Sequence, residues 1–152
     1  MLNPDFSDML SAFTGESVEY IVVGAYALAV HGVPRATGDL DFWIRPSAEN
    51  ASRVLRALAA FGAPAGDLTI QDLTTPDLVF QIGVEPSRID ILTSIDDVTF
   101  DEAVATMVIA RIGDLDVPVL GREALIRNKR AVGRPQDLAD VAQLESTERD
   151  DH

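Results

Sequence analysis

The chain has 152 residues, enough for one domain with a core of ordinary size, and at 47% hydrophobic and 24% charged its composition is that of a globular protein, not a disordered one. It contains no cysteine, which excludes disulfides, thiolate metal sites and cysteine nucleophiles, so any metal must be held by oxygen or histidine. Acidic residues outnumber basic ones 25 to 12, giving a formal charge of −13 that speaks against a broad surface tracking duplex nucleic acid.

In chain order, Phe6, Met9, Leu10 and Phe13 recur at helical spacing over 5–14, and Gly15 offers a stop. Residues 19–23 are short, apolar and β-branched, which predicts a buried strand ending at Gly24. An alanine-rich helix follows over 25–31, stopped by Gly32-Val33-Pro34, and its first N–H groups point at whatever lies beyond the strand. Residues 35–38 form a loop into a second strand, Asp39 to Ile44. Ser47 then caps a helix over 48–61 that ends at Gly62. Residues 63–77 read as a turn-rich surface excursion. Strands over 78–84 and 88–93 form a hairpin around 85–87, a short helix covers 100–105, and a second hairpin spans 106–112 and 115–120. Helices over 121–132 and 136–144 precede a charged tail, 146–152. Together these predict a single α/β (α+β) domain over 1–152, a mixed sheet flanked by helices with a helical C-terminal segment. Its core lies over about 18–93, with the later hairpin and helices over about 100–145.

Three acids break this apolar pattern. Asp39 and Asp41 stand two apart in the second strand, so their side chains share a face with Cα atoms roughly 6 to 7 Å apart. Asp90 lies between Ile89 and Ile91 in another strand. Buried carboxylates are costly unless a cation neutralises them. If Asp90 joins the other two, the three can share a pair of divalent cations, Mg²⁺ or Mn²⁺, about 3.5 to 4 Å apart. If not, Asp90 faces solvent at a sheet edge or pairs with Arg88 or Arg35. Such a cluster suits phosphoryl or nucleotidyl transfer, with the Gly24-Ala25 turn binding phosphate through backbone N–H groups. Arg35 and Thr37, on the loop before Asp39, are placed to touch phosphate, or are ordinary turn residues. His31, near the end of an apolar helix, reads as a packing or capping histidine or as a contact to phosphate or base, and Trp43 and Phe42 read as core.

Gly24-Ala25, the gap to Asp39-Leu40-Asp41, and Ile89-Asp90-Ile91 resemble the motif of the DNA polymerase β-like nucleotidyltransferase superfamily. The wider string Val23 to Asp41, with Ala27, His31-Gly32, Arg35 and Thr37, is similar to small bacterial nucleotidyltransferases of the AbiEii and minimal-nucleotidyltransferase kind, several of them toxin–antitoxin components. The resemblance extends loosely to residues 125–130, Arg134-Pro135 and 137–140. It implies a nucleotidyltransferase that moves a nucleoside monophosphate from an NTP to a hydroxyl of RNA, protein or a small molecule. It also implies Asp39 and Asp41 as metal ligands, Asp90 as a further ligand that activates the hydroxyl, Gly24 and Ala25 as the phosphate turn, and Lys129, the chain's only lysine, as a triphosphate contact. A cognate toxin or antitoxin is the implied partner. Ala25 stands where the superfamily often has serine, which leaves open a catalytically weak or silent nucleotide-binding partner module. A metal-dependent phosphohydrolase using the same acids is a third reading. With no signal-like N-terminus and no apolar run of membrane-spanning length, the expected location is the cytoplasm.

Overall fold

The computed structural model describes residues 3–35, 38–63, 66–84 and 86–150. Helix α1 (Pro4–Gly15) leads into strand β1 (Tyr20–Val23), followed by α2 (Gly24–Val30), β2 (Asp39–Ile44), α3 (Ala48–Phe61) and α4 (Ile70–Thr74). Then come β3 (Val79–Ile82), β4 (Arg88–Leu92), α5 (Phe100–Thr106), β5 (Val108–Ile112), β6 (Leu115–Val119), α6 (Arg122–Val132) and α7 (Pro135–Asp150).

The six strands form one mixed sheet in the order β3-β4-β2-β1-β6-β5. β2 runs antiparallel to β1 and parallel to β4, and β1 is parallel to β6. Strand alternation assigns the two faces. On one, Tyr20, Val22, Phe42 and Ile44 are buried, and Phe42 meets Phe13 of α1 at a 4.6 Å ring separation. On the other, Trp43 packs edge-to-face on Phe100 of α5 at 5.1 Å, and Asp39 and Asp41 share that side. Helices therefore cover both faces, the mixed α/β architecture expected from the alternation of strand and helix patterns. No helix among the described residues is long and apolar enough to cross a membrane.

Two local differences from the sequence expectations have physical causes. The stretch 63–77 is not turn throughout: α4 forms inside it because Thr69 and Asp72 make a reciprocal capping box, and Leu73 is fully buried beneath. The last helix runs on to Asp150, past the expected end at 144 and into the charged tail. Arg122 holds that turn by donating to the Leu144 carbonyl at 2.7 Å and to Thr147 Oγ1.

One buried amide ties the sheet to α3. Asn50, 2% exposed, accepts from the Glu19 N–H at 2.7 Å and donates to the carbonyls of Glu19 and Arg45, each at 2.9 Å. It thereby joins the start of β1 to the end of β2. Asn50→Ala removes these three hydrogen bonds to the backbone and is expected to cost about 2 to 3 kcal/mol, read from the urea midpoint at unchanged m-value.

Candidate functional site

The parallel pairing of β2 and β4 sets Asp41 directly beside Asp90 and Asp39 beside Arg88. Neighbouring strands lie about 4.7 to 4.9 Å apart, so two carboxyl groups on one face at matched register must meet. Asp90 is 7% exposed and lies on an inner strand, because β3 takes the sheet edge beside β4. The alternative in which Asp90 faces solvent is thus not the observed one, whereas its pairing with Arg88 is.

Asp41 is pushed up from 3.8 to about 7, first by burial, then by the charge of Asp90 and a hydrogen bond with it, and then by the charge of Asp39, with Arg88 pulling the other way. At neutral pH Asp41 therefore keeps its proton about half of the time. Arg88 Nη2 donates to Asp39 Oδ2 at 2.7 Å and to Asp90 Oδ2 at 3.3 Å. Asp90 Oδ1 is buried and receives no hydrogen bond.

Gly24 gives this pair its room. At φ +70° it stands at the end of β1, and a Cβ built there would lie 2.1 Å from Asp41 Oδ2. Any side chain is excluded twice, by the left-handed backbone and by the carboxylate.

Val23, Gly24, Asp41 and Leu92 form the sheet wall of a cavity of about 320 Å³, with Asn128 and Lys129 of α6 opposite. The β4–α5 loop completes it, held by Asn128 donating to the Asp96 carbonyl at 3.1 Å and by Arg127 donating to the Asp97 carbonyl. Lys129 faces this cavity but is already engaged, 3.0 Å from Asp140 and 3.4 Å from Asp137. Both aspartates are buried. Asp137 is held below the usual carboxylate range mainly by its hydrogen bond from Arg134. For Asp140, burial pushes upward, but hydrogen bonds from Arg35, Lys129 and Gln136 outweigh it and leave its pKa lowered.

The expected site residues divide accordingly. Asp39, Asp41, Asp90 and Gly24 come together, and Lys129 lies across the cavity from Asp41. Ala25 and Arg35 instead line a smaller depression with Tyr26 and Ala29, where Arg35 is turned to Asp140. Thr37 lies outside the described residues. His31 Nε2–H donates to the Leu120 carbonyl at 2.7 Å, a packing role. Sequence reasoning offered Arg88 only as a partner of Asp90 in the alternative to the cluster; the structure places it within the cluster, on Asp39 as well as Asp90. Sequence reasoning did not find Asn128, for which no sequence signal exists.

Among the described residues no group of three His, Asp or Glu side chains stands ready to hold a metal ion. The donor chemistry nonetheless suits a hard divalent cation: carboxylate oxygens only, one of them a buried Asp90 oxygen without a donor, crowded enough that Asp41 retains a proton. The third carboxylate of the set, Asp39, is drawn to a guanidinium.

No protein-family model matches the chain, and no curated protein matches it. Among solved structures it is similar to a Thermotoga maritima protein, TM1012, that carries a provisional nucleotidyltransferase assignment. The two share 17% identity at a TM-score of 0.58, over 98% of this chain and 94% of that one. The chain thus has a nucleotidyltransferase-like fold, a mixed six-stranded sheet flanked by helices.

Two predictions follow from the geometry. Folded Asp41 keeps a proton that the unfolded chain releases near pH 4, so between about 4 and 7 the native state binds more protons and its stability falls as pH rises. In EDTA, urea titrations of the wild type should show that loss, on the order of 2 to 4 kcal/mol, relative to Asp41→Asn, which is flat in this window and more stable above pH 7. Gly24→Ala should lower the thermal midpoint by the equivalent of about 1 to 3 kcal/mol, and Asp41→Asn in that background should not restore it, since the backbone strain remains.

Proposed function

We propose that this chain transfers a nucleoside monophosphate from an NTP to a hydroxyl, with Mg²⁺ or Mn²⁺ held by Asp39, Asp41 and Asp90. The observation that carries the reading is that Asp41, set beside the buried Asp90 by the strand register, lines a cavity that also presents Lys129 and Asn128. Bound there, the metal would neutralise the carboxylates and the phosphates, and lower the pKa of the attacking hydroxyl. Asp90 Oδ1, buried and without a donor, is the atom suited to take the hydroxyl proton. The hydroxyl oxygen then bonds to the α-phosphorus, the bond from that phosphorus to the bridging oxygen breaks, and pyrophosphate leaves with the electron pair. Gly24 lines the cavity beside Asp41 and puts no side chain of its own into it. Lys129 contributes positive charge from the far wall, oriented by Asp137 and Asp140.

The acceptor is a hydroxyl on a protein or small molecule. Arg127, Lys129 and Arg130 along α6 each stand against a carboxylate, which leaves little free positive charge around the cavity to follow an RNA backbone. By its likeness to AbiEii-type enzymes, the chain acts in the cytoplasm as one half of a toxin–antitoxin pair. A second reading, a nucleotide-binding partner module with little or no turnover, is favoured by Ala25 in the turn and by Lys129 being held by two aspartates.

Incubation with each α-³²P-labelled NTP and Mg²⁺, alone, with total RNA and with a cell lysate, decides between them. Label covalently attached to a protein or small molecule is expected, falling about a hundredfold or more in Asp41→Asn and Asp90→Asn. Labelled NMP released to water would mean hydrolysis, and nucleotide binding without any transfer would mean the partner module.

A further inference from the structure

Strand alternation puts Arg88 on the same face as Asp90, and the parallel register puts it beside Asp39. A single nitrogen, Nη2, serves both acids, at 2.7 Å and 3.3 Å. Arg88 Nε is buried without a partner, so the head group is turned to the carboxylates at the expense of one of its own donors. About a third of the side chain is exposed, which leaves it a way out to solvent.

We propose that Arg88 is a tethered cation that neutralises Asp39 and Asp90 in the metal-free protein and competes with the divalent ion for the same oxygens. The inference rests on the metal-dependent reading of the site. Asp39 Oδ2 and Asp90 Oδ2 are the atoms that Arg88 occupies, and a doubly charged ion sharing them with a guanidinium a few ångströms away meets strong like-charge repulsion. Metal binding therefore requires Arg88 to leave. This accounts for the absence of a ready three-carboxylate group among the described residues although three carboxylates share the face. It also explains how the chain folds around clustered acids before any metal arrives: one charge of the right sign is built into the neighbouring strand. Arg88 is thus a positioning residue whose removal loosens the metal-free site and tightens metal binding.

The test is Mn²⁺ binding without nucleotide, followed by the EPR signal of the free ion, in the wild type, Arg88→Met, Arg88→Lys and Asp41→Asn. Arg88→Met should bind Mn²⁺ about tenfold or more tightly than the wild type, while Arg88→Lys, which keeps the charge, should stay within about threefold of it. Arg88→Met should also melt lower than the wild type in EDTA and gain more from Mn²⁺. Unchanged or weaker affinity in Arg88→Met overturns the proposal, as does Arg88→Lys binding as tightly as Arg88→Met. Should Arg88→Met fail to fold in EDTA, the wild-type Arg88 Nε–H resonance decides: it shifts as Mg²⁺ is added if the side chain leaves the acids, and a resonance that stays still overturns the proposal. Mn²⁺ binding that survives in Asp41→Asn would bring down the metal-dependent reading itself. Binding lost in Asp41→Asn but unaltered by Arg88→Met would remove only the role of Arg88.

Discussion

Two carboxyl groups side by side on adjacent parallel strands are the constraint around which this molecule is arranged. Placing Asp41 against Asp90 inside a protein is unfavourable by burial and by charge, and each neighbour lessens part of that cost. A proton held by Asp41 removes one charge, Arg88 supplies an opposite one, and Gly24 withholds the Cβ that would otherwise occupy the space of the Asp41 carboxylate. Such an arrangement survives only where it is over-determined by the surrounding fold, and here it is. β2 is paired along both edges, to β1 and to β4, so its acids have no freedom to slip register without turning Leu40, Phe42 and Ile44 out of the core.

The opposite wall of the cavity obeys a similar logic with the signs reversed. Lys129 is deeply placed for an ammonium group, with 14% of its side chain exposed, and Asp137 and Asp140 answer its charge from the first turns of α7. Asp140 also takes Arg35, while Asp137 takes Arg134 and its backbone N–H. One buried ion network therefore joins the loop after α2 to the two closing helices. It fixes where Lys129 stands relative to Asp41, and it turns Arg35 away from the cavity. A buried network of this kind is costly to break at any single member, because the remaining charges lose their partners. The two walls thus form separate charge-balanced units, one of acids balanced by Arg88 and one of cations balanced by aspartates, with Asp41 of the first and Lys129 of the second lining the cavity between them.

Most elements and the shared face of Asp39 and Asp41 were legible in the residues alone, since both follow from local backbone periodicity. The apolar alternation of 39–44, the helical spacing of 48–61 and the β-branched run before Gly24 each stand within a residue or two of the observed bounds. The short helix α4 was hidden because its capping box lies in a segment whose turn residues dominate the pattern. That Asp90 lay in a strand was readable too, but whether it met the other acids was not, since a residue 49 positions from Asp41 joins it only if β4 lands beside β2.

What the sequence determined by itself is the set of elements and the side of each on which its acids fall, because a strand repeats every two residues and a helix every 3.6 whatever surrounds it. The tertiary structure decided the rest: the strand order, the parallel register that sets Asp41 against Asp90 and Arg88 against Asp39, and the capture of Lys129 and Arg35 by aspartates far along the chain. Such pairings have no local signal. They arise when burying the two sheet faces brings charged groups into a poorly solvated interior, where each must find a partner of opposite sign or retain a proton.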